Sequence, residues 1–174
     1  MHALEQASVD VGELLRTIVA DVAIEADAQG CLVQLQAQGP LPVSGDPELL
    51  RSAFENVIRN AVRYSPVGAL VGITAHRLAG EEHPGGQVEV VIRDQGPGVP
   101  EKELGLIFEP FYRVDAARGH GSAGGEGLGL AIAARAVGLH GGGIEARNLH
   151  SGGLSVSITL PAADRALVQA VAAA

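Results

Sequence analysis

The chain has 174 residues, a formal net charge of −8, 47% hydrophobic residues and 18% charged residues. That is the length and balance of one globular domain, and the absence of any basic stripe excludes nucleic acid as a partner. No apolar run reaches the ~20 residues of a membrane helix, so no membrane contact is expected of this stretch.

Met1 to Asp10 lacks the basic start and apolar core of a signal peptide. Asp10-Val11-Gly12-Glu13 reads as a helix start, with Asp10 as cap and Glu13 reaching back. Leu14, Leu15, Ile18, Val19, Val22 and Ala26 follow at helical spacing, and Gly30 ends the helix. Cys31 to Gln38 alternates like a half-buried strand, with Cys31, the single cysteine, read as a buried inert thiol. Leu41 to Ser44 is read as a short strand. Asp46-Pro47-Glu48 is a strong second helix start, combining a cap, a first-turn proline and an acid. This helix is expected to run to Tyr64. Two strands are predicted near Leu70–Leu78 and Gln87–Asp94, with Ala79–Gly86 as the hairpin loop between them. A short helical piece near Glu101–Leu106, a long irregular stretch to Gly127 and a helix over Leu128–Leu139 come next. Gly143–Asn148 and Leu154–Leu160 read as a closing pair of strands, and 162–174 as an Ala-rich helical tail.

Ten of the 24 glycines lie between Gly119 and Gly143. Regular structure does not tolerate that density, and a long irregular segment inside a compact domain points to a functional lid or a disordered stretch. Three of the five aromatic residues, Phe108, Phe111 and Tyr112, fall beside it.

On the helix from Glu48 to Tyr64, Leu50, Ala53, Phe54, Val57 and Ala61 form one apolar stripe at ~100° per residue. Asn56, Asn60 and Arg63 sit together on its flank, spread over roughly 60°. Asparagine is a poor interior helix residue. Two of them beside an arginine suit a shared ligand: amide oxygens for a hard cation such as Mg²⁺, a guanidinium for phosphate. A solvated helix face is the other reading. Asp94-Gln95-Gly96-Pro97-Gly98 follows an apolar strand. There an aspartate can accept from an exocyclic amine and glycines let a flat ring approach, although a plain turn has the same residues. Gly125-Glu126-Gly127-Leu128-Gly129-Leu130 opens a helix, offering N–H groups and a positive dipole end to an anion. Such groups are what an acidic chain needs to hold a polyphosphate; a flexible joint is the alternative.

In this order and spacing the segments resemble the catalytic domain of bacterial sensor histidine kinases. Phe54 to Ser65 matches that family's N box, Asp94 to Val99 its G1 box, Ile107 to Asp115 its F box and Gly125 to Ile132 its G2 box. His140-Gly141-Gly142 and Gly152-Gly153-Leu154 to Leu160-Pro161 match as well. The N and F boxes look most like those of Cpx-type envelope-stress sensors. The resemblance covers residues 10 to 161. It implies an α+β two-layer sandwich of the Bergerat ATP-binding type: a mixed, mostly antiparallel sheet of about five strands, covered on one face by about three helices. Residues 1–9 would then be a linker remnant and 162–174 a tail.

The resemblance also implies roles. ATP and Mg²⁺ would be bound by Asn56, Asn60, Arg63, Tyr64, Asp94, Gly96, Gly98, Ile107, Phe108, Gly127, Leu128, Gly129 and Leu130. Asp94 would hold the adenine amine, Asn60 the metal with help from Asn56, and Gly127, Gly129 and the Leu130 amide the phosphates. Gly96 and Gly98 would allow close approach of the adenine. Arg113 would reach the γ-phosphate, and Phe108 and Phe111 would anchor the lid. Position 126 is Glu where the family usually has Thr or Ser, and a carboxylate beside a triphosphate is unfavourable unless it points away.

None of the six histidines sits on a helix beside an acid, as the family's acceptor does. The phosphoacceptor is therefore expected on a separate dimerisation domain, with a response regulator beyond it. The expected setting is the cytoplasmic part of an inner-membrane sensor. A stand-alone anti-sigma-factor-type serine kinase, a hydrolytic gyrase- or chaperone-type ATPase and a catalytically weak ATP-binding domain are the alternatives. The hydrolytic type places a glutamate four residues before the metal asparagine, where this chain has Asn56.

Overall fold

The computed structural model describes residues 6–80, 83–114 and 127–163. In chain order the elements are β1 (Ala7–Asp10), α1 (Val11–Gln29), β2 (Leu32–Ala37), β3 (Pro42–Gly45), α2 (Pro47–Tyr64), β4 (Leu70–Gly80), β5 (His83–Arg93), 3₁₀ turns at Glu101–Glu103 and Leu106–Phe108, α3 (Gly129–Leu139), β6 (Gly143–Asn148) and β7 (Leu154–Pro161). The expected helical tail does not begin at Ala162, which bridges Val43 while its N–H donates to Gly86 O; residues 164–174, like Glu126, lie outside the described residues.

Five strands form one sheet in the order β2-β4-β5-β7-β6. Only β2 and β4 run parallel; the other three pairs are antiparallel. The sheet is therefore mixed and mostly antiparallel, as the resemblance implied. Strand periodicity splits it into two faces. Val71, Ile73, Val88, Val90, Ile92, Val156, Ile158 and Leu160 join the core with the helices. Thr74, Glu89, Ser157 and Thr159 alternate with them and point the other way. The three α-helices among the described residues cover the apolar face: α2 lies between α1 and α3, α1 reaches β2, and α3 reaches β6 and β7.

The middle helix forms for the reasons legible in its sequence. Asp46 caps it by accepting from Glu48 N and Leu49 N, and Pro47 opens it. Leu50, Ala53, Phe54, Val57, Ile58, Ala61 and Val62 are buried, with Leu50 and Phe54 fully so. A residue as large as Phe54 contributes about 3–5 kcal/mol at such a position. The opposite edge carries paired charges: Arg51 meets Asp21 and Glu55, and Arg59 meets Glu25 and Glu55. These exposed pairs tie α1 to α2 but add little stability.

Three local features depart from expectation. Ala7–Asp10, read as linker and helix cap, form a strand paired antiparallel with β3. Asp10 ends that strand and caps α1 at once: Oδ1 accepts from Glu13 N and Oδ2 from Leu41 N. Four residues are too few to show alternation in a sequence. The Glu13 side chain does not close a capping box but pairs with Arg16 one turn on. The loop expected over Ala79–Gly86 is mostly strand, because the β4–β5 ladder continues past a register shift to Gly80↔His83; Gly and Pro there mark an irregular ladder, not its end. Cys31 is buried as expected, and desolvation raises its pKa.

His140 reads as a turn residue in the sequence, yet it joins two helices. It caps the C-terminus of α3, and its Nε2 accepts from the Asp46 N–H at 3.0 Å. A backbone amide can only donate, so the proton sits on Nδ1, which donates to Ala136 O at 2.7 Å. The α3 C-terminus is thereby fastened to the first turn of α2.

Candidate functional site

Asp94 is the best-defined member of the site. It continues the β5–β7 ladder by one rung, its N–H donating to Leu154 O. The residue is 6% exposed. One oxygen, Oδ1, is fixed by Gly96 N at 2.8 Å and Leu154 N at 3.0 Å. Both bonds fall on the same oxygen, which leaves Oδ2 as the available acceptor. Burial raises the pKa above the usual carboxylate value, against the lowering effect of the Gly96 and Leu154 amides.

The loop after Asp94 is held at close quarters. A methyl group at Gly96 would stand 2.7 Å from the Tyr64 carbonyl oxygen. Gly98 has φ +72°, and a methyl there would meet Asn148 Oδ1 at 2.6 Å. Both glycines are required by the protein's own packing, before any ligand is considered. Gly153, in the β6–β7 turn, abuts the Asp94 carbonyl so tightly that no side chain fits.

The two asparagines of α2 diverge in their commitments. Asn56 Nδ2 donates to Ser52 O at 2.8 Å, leaving Oδ1 turned toward Gly129, where a methyl would lie 3.0 Å away. Asn60 is half-buried with no hydrogen-bond partner among the described residues. Arg63 is exposed, and its guanidinium pairs with no acid among them. Tyr64 is 40% exposed at the helix end. Along α2, therefore, Asn56 faces the start of α3 and Tyr64 faces the Gly96 loop. The eight-residue rise between them is ~12 Å, the scale of a nucleotide.

Among the described residues no side chain caps the first turn of α3, and none claims its leading amides. Leu128 immediately precedes it, and Leu130 is half-buried against the core. Gly127 is packed against Tyr112 O, and its own carbonyl accepts from Phe111 N at 3.0 Å. Ile107 is buried and Phe108 packs on the core. Phe111 does not: the residue is 71% exposed and its φ is +66°. Its backbone, not its ring, makes the connection to Gly127. Tyr112 adds a bond from its hydroxyl to Glu103 at 2.8 Å. Arg113 is exposed, with no acid partner among the described residues. Most of the expected lid, including Glu126, lies outside the described residues.

Sequence reasoning missed two contributors, the Leu154 amide and the Asn148 side chain; beside Tyr64, the Ser65 hydroxyl is buried with no partner among the described residues. An amide carries no sequence signature, and nothing local announces a contact made across 49 residues. A pocket of about 270 Å³ on the outer side of α2, lined by Glu48, Arg51, Ser52, Glu55, Asn56 and Arg59, shares only Asn56 with the site.

A family model described as histidine kinase-, DNA gyrase B-, and HSP90-like ATPase matches residues 45–164. The chain belongs to this ATPase family. Among its members, the chain is 36% identical over 161 residues to the sensor histidine kinase CpxA of Escherichia coli K12, covering 92% of the chain and 33% of that protein. It is 34% identical over 154 residues to the sensor-like histidine kinase SenX3 of Mycobacterium tuberculosis, covering 88% of the chain and 36% of SenX3. The chain thus spans about a third of the length of the curated relatives it matches. In three dimensions it is similar to the mycobacterial sensor histidine kinase MprB, with TM-score 0.77, 32% identity, 90% of this chain and 97% of that one. Full-length ShkA in complex with AMPPNP gives TM-score 0.77 at 29% identity, over 93% of this chain and 32% of that one. The α+β sandwich of this family's histidine-kinase branch is the fold observed here.

Proposed function

We propose that the chain binds ATP with Mg²⁺ and donates the γ-phosphate to a histidine on a separate dimerisation and phosphoacceptor domain, at the head of a two-component relay that ends on a response regulator. The observation that carries this is Asp94: a buried carboxylate with one oxygen fixed by two amides and the other left to accept. It lies one glycine from the end of a helix whose flank carries two asparagines and an arginine. An adenine amine is the donor such an acceptor suits.

Among the described residues no group of three His, Cys, Asp or Glu could hold a metal. A hard cation would need phosphate oxygens and water as its other ligands, which is how Mg²⁺ is usually held at nucleotide sites. The amide oxygens of Asn60 and Asn56 fit that cation: Asn56 Oδ1 is left over once Nδ2 has bonded Ser52, and Asn60 has no partner among the described residues. Bound there, Mg²⁺ would neutralise the polyphosphate. The rest of the work falls to this chain. Asp94 would fix the base, the open first turn of α3 would receive phosphate oxygens through its amides, and Arg63 and Arg113 would supply positive charge. Phosphoryl transfer needs little more than such positioning and neutralisation.

A hydrolytic reading has less support. The nearest glutamate to Asn60 on α2, Glu55, is ~140° away around the helix and is held by Arg51 and Arg59. The deciding experiment mixes the chain with ATP, Mg²⁺ and the helical domain of its parent, then tests for acid-labile, base-stable phosphate on that domain. Phosphohistidine dependent on Asp94 and Asn60 is the expected result. Rapid ATP turnover by the chain alone, with no phosphate transferred, overturns the proposal.

A further inference from the structure

The base-binding loop is held from outside the nucleotide site by one side chain. Asn148 is the last residue of β6. Its Oδ1 accepts from Val99 N at 2.9 Å, and its Nδ2 donates to Val99 O at 2.6 Å and to Glu101 Oε1 at 3.0 Å. Val99 N can only donate and Val99 O can only accept, so the amide's orientation is fixed by the backbone it pairs with. The side chain thus stands in for a strand residue, satisfying both main-chain groups of Val99. It also sets the position of Gly98, which lies against Asn148 Oδ1 with φ +72°.

The neighbouring turn completes the clasp. Leu149 N donates to Gly153 O, Gly153 abuts the Asp94 carbonyl, and Leu154 N donates to Asp94 Oδ1. Residues 94 to 101 are therefore held on one side by the β6–β7 hairpin and on the other by Tyr64 at Gly96. The elements that would meet phosphates, the flank of α2 and the first turn of α3, make none of these bonds.

We infer that Asn148 is a positioning residue for base recognition: it holds the Gly96–Glu101 loop in the shape that lets Asp94 and the loop backbone accept a purine, and it has no part in holding the polyphosphate. This rests on the assignment of Asp94 to adenine. The prediction is a split between two ligands. Removing the amide should weaken binding of anything that carries a purine and leave binding of the phosphate chain unchanged. Asp at 148 keeps the acceptor for Val99 N but turns the donor into a second acceptor facing Val99 O and Glu101, so it should fail as Ala does despite its matched shape.

The test compares wild type, Asn148→Ala and Asn148→Asp by calorimetric titration with Mg·ATP and with Mg·tripolyphosphate, alongside thermal melting without ligand and amide exchange of residues 96–101. Both variants should lose about tenfold or more in ATP affinity. Tripolyphosphate affinity should stay within about twofold and the melt should hold, with faster exchange confined to the loop. Equal loss for both ligands means that Asn148 supports the whole domain and overturns the inference, as does unchanged ATP affinity. Asp94→Asn run in parallel separates the two readings. If that variant also binds ATP normally, the adenine assignment has failed and Asn148 falls with it. If it loses ATP while the Asn148 variants keep it, only the Asn148 inference has failed.

Discussion

Replacing Asp94 by Asn isolates one atom. The variant keeps Oδ1, so the Gly96 and Leu154 amides stay paired at 2.8 and 3.0 Å and the β5–β7 end rung is undisturbed. What changes is the second oxygen, which becomes an NH₂. An adenine amine would then face a donor where it had an acceptor. A hydrogen bond to a charged group contributes about 1.5–3 kcal/mol, and leaving donors buried without acceptors costs about 1–3 kcal/mol more. The sum predicts a loss of more than about hundredfold in ATP affinity, read by calorimetry or by displacement of a fluorescent nucleotide. The empty domain should respond the other way. Burial raises the Asp94 pKa above the ordinary aspartate value. A carboxylate with a raised folded pKa stabilises the fold fully below its unfolded pKa and loses that contribution as pH rises through the folded value. Asn has no charge to desolvate. The variant should therefore gain on wild type in thermal melts as pH climbs from about 4 toward neutrality. An ATP affinity within about threefold of wild type, with the melt intact, would refute the assignment.

Three other outcomes follow from the same structure. Asn60→Ala should remove the Mg²⁺ dependence of ATP binding while leaving the unliganded melt nearly unchanged, since Asn60 has no partner among the described residues; titrations with and without Mg²⁺ read this directly. Phe54→Ala should destabilise the domain by about 3–5 kcal/mol in urea unfolding, because the ring is fully buried at the centre of α2. Gly153→Ala should cost at least about 2 kcal/mol and lower ATP affinity together with stability. Its methyl would press on the Asp94 carbonyl at a residue with φ +98°, and a variant with wild-type melting would show that the turn can move aside.

The sequence was most legible where one signal served one purpose. Asp46-Pro47 starts a helix in any context, and the stripe from Leu50 to Ala61 can only be a core face, so α2 appeared nearly to the residue. The Asp94 and Gly127 segments were legible as motifs, and their close packing against Tyr64 and Tyr112 explains why glycine is needed there. What was hidden depends on distant chain. Ala7–Asp10 has no periodicity of its own and becomes a strand because β3 lies alongside. Phe111 looked like an anchor because aromatic residues usually bury, but a positive φ turns its ring outward. Asn148 carries no mark that distinguishes it from any polar residue at a strand end; its importance comes from Val99, which the fold brings to it.

The His140 link gives the domain a cooperative unit that the element order does not suggest. The ring joins Ala136 to Asp46, and Gly45 beside it, the last residue of β3, has no room for a side chain against the same ring. Strand β3 is in turn paired with β1. Local opening of this corner cannot involve one element alone: β1, β3, the first turn of α2 and the last turn of α3 must part together. In native-state hydrogen exchange their amides should share one opening free energy, and the Asp46 amide, bonded to a side chain instead of a helix carbonyl, is the reporter that would show it.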